Sequence, residues 1–273
     1  MKTVSLIEFL KEKYPDIPPK EHYARIMCGE VYVGDECVRD PKRRVMSQSR
    51  VEFMQKRYVS RGGTKLESAL REWHPPLRDK VFIDAGASTG GFTDCLLQHG
   101  AAVVHSVDVG YNQLDYRLRN DPRVHVHERT NIMSVAAFDP APHAAVADLS
   151  FRTIRKAAAH ILEITLERWM IVLVKPQFEL DPELEKEQEF AGVIRSDSIL
   201  EKVLRQVYDG LREEMIQIDG ILPAPITGRK GNREFLFYLS KGAGGLETAG
   251  AVTGVLRDAM IREAMEKMGN PRV

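Results

Sequence analysis

The segment Phe82-Ile83-Asp84-Ala85-Gly86-Ala87-Ser88-Thr89-Gly90-Gly91-Phe92-Thr93 constrains the fold more than any other stretch of this chain. A short apolar run ends in an acid, passes through closely spaced glycines and enters a helix-compatible segment that stops near His99-Gly100. Strand, tight turn and helix in that order open a nucleotide-binding α/β fold. Gly86, Gly90 and Gly91 carry no Cβ, so the backbone there can approach a ligand closely. A second apolar run, Ala102 to Val107, ends in Asp108. An acid at that place accepts hydrogen bonds from ribose hydroxyls, so the expected ligand is an adenosine. No Lys-Ser/Thr pair follows the glycines, and the spacing Gly-x-x-x-Gly-Gly is not Gly-x-Gly-x-x-Gly. Both the ATP-type phosphate cradle and the dinucleotide loop are therefore disfavoured.

Around this unit apolar strands alternate with helical segments. The strands are expected at 81–85, 102–108, 123–127, 143–147 and 169–174, and the helices near 89–99, 113–120 and 151–167. Leu66, Ala69, Leu70 and Trp73 predict a helix over Thr64 to Trp73 ahead of them. A helix over 195–213 leads to two strands, 214–221 and 234–240, with no helix between, which predicts an antiparallel edge pair. The pattern is an α/β sheet covered on both faces. After a break at Lys241-Gly242-Ala243-Gly244-Gly245, a helix over 247–268 is expected to pack through Met260, Ala264 and Met268.

Residues 1–57 read as a separate small α/β module. Val4 to Lys13 and Lys20 to Cys28 are helical in pattern, divided by Pro15-Asp16-Ile17-Pro18-Pro19 and stopped by Gly29. Short strands are expected at Glu30 to Val33, Cys37-Val38 and Arg50 to Phe53. Residues 1–65 hold 14 Lys/Arg and 9 Asp/Glu, a net of +5, while the other 208 residues carry −5. A basic module on a mildly acidic body suits a polyanionic partner. No apolar run approaches the roughly 18 residues of a membrane span, and Met1 to Glu8 has too short an apolar core for a secretory signal. Cys28, Cys37 and Cys95 have no metal-site spacing, so no metal is expected and a reducing cytoplasm fits.

Four polar residues stand at chemically informative places. Lys65 follows Ser60-Arg61-Gly62-Gly63-Thr64 at a helix start. Asp148 closes the apolar strand Ala144 to Ala147, Lys175 closes Trp169 to Val174, and Glu234 opens the last strand. Asp148 and Lys175 thus fall at C-terminal ends of parallel strands, where open α/β sheets bind ligands.

Lys65, Asp148, Lys175 and Glu234 resemble the Lys-Asp-Lys-Glu tetrad of RNA 2′-O-methyltransferases of the FtsJ type. The surrounding phrases resemble the TlyA family more closely: Tyr58 to Leu66, Asp84 to Thr93, Val107-Asp108-Val109-Gly110, Asp148-Leu149-Ser150-Phe151, Leu173 to Glu179 and Gly231 to Leu236. Ala24-Arg25-Ile26, Gly29 to Val33, Val38 and Asp40-Pro41 resemble an S-four-type RNA-binding domain, although Pro19-Lys20-Glu21-His22 stands where that family begins its second helix with Ser-Arg. The resemblance implies a Rossmann-like methyltransferase with a seven-stranded, mostly parallel sheet over 64–241. It implies an RNA-binding module over 1–57, a linker at 58–63 and a C-terminal segment at 242–273. Two departures touch the RNA side. Asp181 to Glu189 is acidic where a basic or glycine-containing turn is expected, and Met133 replaces an expected arginine.

The same resemblance implies S-adenosylmethionine as donor and ribosomal RNA, through a cytidine 2′-hydroxyl, as acceptor. Asp84, Gly86, Ala87, Ser88, Thr89, Gly90, Gly91, Asp108 and Asn131 are the expected donor contacts, with helix capping the alternative for Asn131. Lys20, Arg25, Lys42, Arg43, Arg44 and Arg61 are the expected RNA contacts. In the chemistry, Lys175 either takes the 2′-hydroxyl proton or, as a cation, positions the hydroxyl and stabilises the developing alkoxide. Asp148 would orient Lys175, and Glu234 would hold Lys65. Two other readings compete: an RNA- or ribosome-binding protein with an inactive transferase body, and a haemolysin, a label some family members carry.

Overall fold

A computed structural model describes residues 3–54, 57–150, 154–187, 192–228, 230–242 and 250–269. The N-terminal module comprises β1 (Thr3–Ser5), α1 (Leu6–Lys13), α2 (Pro19–Met27), β2 (Val31–Val33), β3 (Glu36–Cys37), β4 (Arg44–Met46) and β5 (Val51–Phe53). Leu6, Phe9 and Leu10 of α1 and Ile26 of α2 meet Val31, Val38, Val45 and Val51 in its own small core. Val4, helical by its spacing, instead pairs with Val45 across β1 and β4. The helix starts only after Ser5, whose side chain forms a reciprocal cap with Glu8.

The body runs through α3 (Arg61–Trp73), β6 (Val81–Ala85), α4 (Gly91–Gln98), β7 (Val103–Val107), α5 (Tyr116–Arg119), β8 (Val124–His127), β9 (Ala144–Ala147), α6 (Ile154–Glu163) and β10 (Trp169–Val174). It continues with α7 (Pro176–Glu179), α8 (Pro182–Glu187), α9 (Asp197–Glu213), β11 (Gln217–Pro223), β12 (Phe235–Ser240) and α10 (Gly250–Gly269). The seven-stranded sheet has the order β11-β12-β10-β9-β6-β7-β8. Strands β10, β9, β6, β7 and β8 run parallel to one another, and β11 and β12 form the expected antiparallel edge.

Strand alternation divides the core in two. In β10, Met170, Val172 and Val174 face α6, α9 and α10, while Trp169, Ile171 and Leu173 face the side of α3 and α4. Both faces are covered, which is why these strands read as continuous apolar runs. Ala264 of α10 is fully buried, and Met260 and Met268 pack beside it. The break expected at 241–245 falls, from Ala243 onward, outside the described residues, as do the first residues of the helix expected from 247.

Three further features differ from or add to the sequence pattern. Helix α3 begins at Arg61, because Ser60 caps it by accepting the Gly62 N–H. The acidic stretch after Asp181 is the helix α8, with the Asp181 carboxylate accepting the Glu183 and Leu184 N–H groups. Burial pushes the thiols of Cys28 and Cys95 up to about 12, so both are inert at neutral pH. Among the described residues no helix is long and apolar enough to cross a membrane.

Candidate active site

The C-terminal ends of β6, β9 and β10 open into a cavity of about 650 Å³. Its floor is the turn after β6. Gly86 has φ +83°, and a Cβ there would stand 2.6 Å from the Asp148 carbonyl oxygen. Gly90, φ +90°, is the cap residue immediately before α4. The turn is held by side chains on both flanks. The Asp108 carboxylate accepts the Ser88 N–H at 2.8 Å and the Gly110 N–H at 2.6 Å. Asp84 accepts the Thr93 N–H at 2.8 Å and its hydroxyl at 2.6 Å, which fastens α4 to β6.

Asp84 is fully buried, yet its Oδ1 has no hydrogen-bond partner among the described residues, and the residue lines the cavity. Burial pushes its carboxyl up to about 7, the negative charges of Asp148 and Asp108 add to this, and the Thr93 hydrogen bonds oppose it. A buried acceptor left open on the cavity wall can take a hydrogen bond from a charged donor group of a ligand. An adjoining hollow of about 220 Å³ is lined by Ser88, Val107, Asp108, Val109, Ile132 and Leu149, which offers an adenosine both an acid and apolar walls.

On the far wall Lys65 and Glu234 form a buried ion pair. Lys65 is brought there by close packing of α3 on α4: a Cβ on Gly91 would stand 2.2 Å from the Ser60 Oγ and 2.9 Å from the Gly63 nitrogen. Gly91 lines the cavity but is needed chiefly for this helix contact. Glu234 is set by the turn before β12, where the Gly228 N–H donates to the Asn232 carbonyl and a Cβ on Gly228 would stand 2.5 Å from Glu234 Oε1. Lys175 Nζ lies 2.6 Å from Asp148 Oδ1 and 3.2 Å from the Ser150 hydroxyl. All four tetrad residues line the same cavity.

Of the remaining expected contacts, Gly86, Ala87, Ser88, Thr89 and Arg61 line this cavity. Asn131 instead caps the short turn at Ile132–Ser134 through the Met133 N–H and faces a second hollow, of about 350 Å³, on another side of Lys175. Lys20 and Lys42 are exposed on the module. Arg25 is engaged by Glu21 at 3.0 Å and by the Phe53 ring, Arg43 by Glu36 at 3.1 Å, and Arg44 by Thr3. The fold thus gathers the tetrad, the loop and Arg61, and leaves the module's basic residues outside the cavity. Gln177, Phe178 and Lys230 also line it, and the sequence pattern alone did not mark them. Their signal is weak: Gln177 and Phe178 stand out only by following Lys175, and Lys230 sits in a turn without periodicity.

A profile of FtsJ-like methyltransferases matches residues 58–241. The chain is 42% identical over 193 residues to a candidate rRNA methyltransferase, YqxC, of Bacillus subtilis, covering 67% of this chain and 66% of that relative. It is 37% identical over 185 residues to the 16S/23S rRNA (cytidine-2′-O)-methyltransferase TlyA of Mycobacterium tuberculosis, covering 67% and 68%. A solved structure of a candidate hemolysin from Streptococcus thermophilus superposes with a TM-score of 0.67 at 31% identity, covering 98% of this chain and 99% of that one.

Proposed function

This chain belongs to the FtsJ-like methyltransferase family, and from that premise we propose that it methylates ribose 2′-hydroxyls, of cytidine, in ribosomal RNA. The observation that carries the reading is the Lys65–Glu234 and Lys175–Asp148 pairs in one cavity with the glycine turn. S-adenosylmethionine, when bound, supplies an electrophilic methyl group on a positively charged sulfur. Gly86 to Gly90 would cradle its amino-acid part, Asp84 Oδ1 would meet its ammonium group, and Asp108 would take its ribose hydroxyls.

The chain's own work is on the acceptor. Lys175, oriented by Asp148 and Ser150, holds the 2′-hydroxyl and either receives its proton or neutralises the oxygen as the proton leaves. Lys65, fixed by Glu234, adds a second positive charge along the cavity wall. Arg61 and Lys230, both exposed, flank the opening and suit the neighbouring phosphates. The ring of Phe178, with Lys175 Nζ 5.9 Å from its centre, offers an acceptor base a face to stack on. Residues 1–57 would hold the RNA and 64–241 would carry the chemistry, in the cytoplasm where ribosomes assemble.

The test is labelled methyl transfer from S-adenosylmethionine to purified ribosomal subunits lacking the modification. Label in RNA from the wild type, absent with Lys175→Ala, supports the reading. Donor binding without transfer to either subunit or to free RNA would favour a binding protein with an inactive body. Failure to bind the donor would remove the methyltransferase reading altogether.

A further inference from the structure

The short segment 113–118 touches two things at once. On one side it walls the glycine turn. The Asp115 N–H donates to the Thr89 carbonyl at 3.2 Å, and the Ser88 hydroxyl donates to Gln113 at 3.3 Å. A Cβ on Gly90 would stand 2.3 Å from a Leu118 methyl and 2.8 Å from a Leu114 methyl, so no slack separates α5 from the turn. On the other side the same segment carries the N-terminal module. Arg117 pairs with Glu30 through both terminal guanidinium nitrogens and with Glu21 at 3.0 Å. Asp115 accepts from the Cys28 thiol at 3.0 Å, and Tyr116 packs edge-on against Tyr23 at 5.4 Å between ring centres.

We propose that Arg117 is a positioning residue that couples the seating of the N-terminal module to the shape of the donor-binding turn. Glu30 is only 6% exposed, so its charge depends on Arg117 for compensation. Without that pair the module's hold on this segment falls back on the Glu21–Arg117, Cys28–Asp115 and Tyr23–Tyr116 contacts. Leu114 and Leu118 then lose the constraint that presses them against Gly90. The coupling is reciprocal: whatever module seating adds to donor affinity, donor binding adds to module seating. RNA that shifts the module on α5 would therefore change the affinity for the donor. The inference rests on the reading of this cavity as a donor site.

The experiment is calorimetric binding of S-adenosylmethionine to the full chain as wild type, Arg117→Met, Arg117→Lys, Glu30→Gln and the double variant Arg117→Met/Glu30→Gln. Coupling predicts a donor Kd about 5–20-fold weaker for Arg117→Met, within the usual range of coupling between sites. It predicts substantial recovery with Arg117→Lys, and a double variant no weaker than the worse single. It also predicts that donor slows amide exchange in α2 of the wild type and not of Arg117→Met. Unchanged affinity in Arg117→Met, additive losses, or exchange in α2 that ignores the donor would overturn it. Glu21→Gln, at a half-exposed site, is the milder variant should Arg117→Met fail to fold, and coupling predicts a smaller weakening in the same direction. A wild type that does not bind the donor overturns the donor-site reading itself, whereas normal wild-type binding with unaffected variants overturns only the coupling.

Discussion

Lys65 and Glu234 lie 169 positions apart in the chain and meet as an ion pair whose side chains are only 9% and 5% exposed. A pair so far from solvent is held by mutual need, since removing one partner strands a charge in low dielectric. Lys65→Met alone is therefore expected to lower stability by about 3–5 kcal/mol. The double variant Lys65→Met/Glu234→Leu is expected to cost less than either single change. Urea denaturation of the three variants measures the difference, and strictly additive losses would contradict the pairing.

Lys175→Ala should remove the group proposed to handle the acceptor hydroxyl and leave the glycine turn intact. Loss of a proton-transfer or charge-stabilising group of this kind lowers kcat by about 10²–10⁴-fold. Donor affinity, read by calorimetry, should remain near the wild-type value. A large loss of donor binding in this variant would move Lys175 from the acceptor to the donor.

Asp84 predicts a pH dependence. Its carboxyl is pushed up to about 7 in the folded chain, above the ordinary ~3.9 of an unfolded aspartate. Folding thus favours the protonated form, and the associated stability is complete below the unfolded value and disappears as pH rises through 7. Between pH 5 and 8 the wild type should lose roughly 3 kcal/mol relative to Asp84→Asn. Donor affinity of the wild type should rise over the same interval, because a cationic ligand prefers the ionised carboxylate. Urea midpoints and calorimetry at the two pH values check both parts.

Gly90→Ala tests the turn. The left-handed backbone costs a non-glycine residue about 1–3 kcal/mol, and the new methyl would also collide with Leu118 and Leu114. The expected result is a lower melting temperature together with weaker donor binding. A variant as stable as the wild type would mean that α5 yields more easily than its packing indicates.

The exposed cations Lys20, Lys42 and Arg61 are expected to touch phosphate. Replacing each with glutamine should weaken RNA binding and reduce the slope of log K against log salt by about one for every phosphate no longer neutralised. An unchanged slope for Lys20→Gln and Lys42→Gln would take the module's outer face out of the RNA path.

Local sequence determined the parts of this protein that depend on near neighbours. The apolar runs 81–85 and 169–174 are strands with those limits, because burial on both faces demands unbroken hydrophobicity, and a strand end places Asp148 and Lys175 at the crevice. Val4 is deceptive because a three-residue strand is too short to show alternation, while the helical spacing of α1 extends backward through it. Asp84 is recognisable in the sequence as an acid beside a ligand turn, but its raised pKa comes from burial, with the charges of Asp148 and Asp108 adding to it and the Thr93 hydrogen bonds opposing it, a setting that only folding gathers. The pairing of Lys65 with Glu234, and of Arg117 with Glu30, was likewise decided by tertiary structure. Periodicity and turn chemistry act over a few residues and are written along the chain. The partner of a buried charge depends instead on strand order and helix packing, which bring distant residues together in a place that water does not reach.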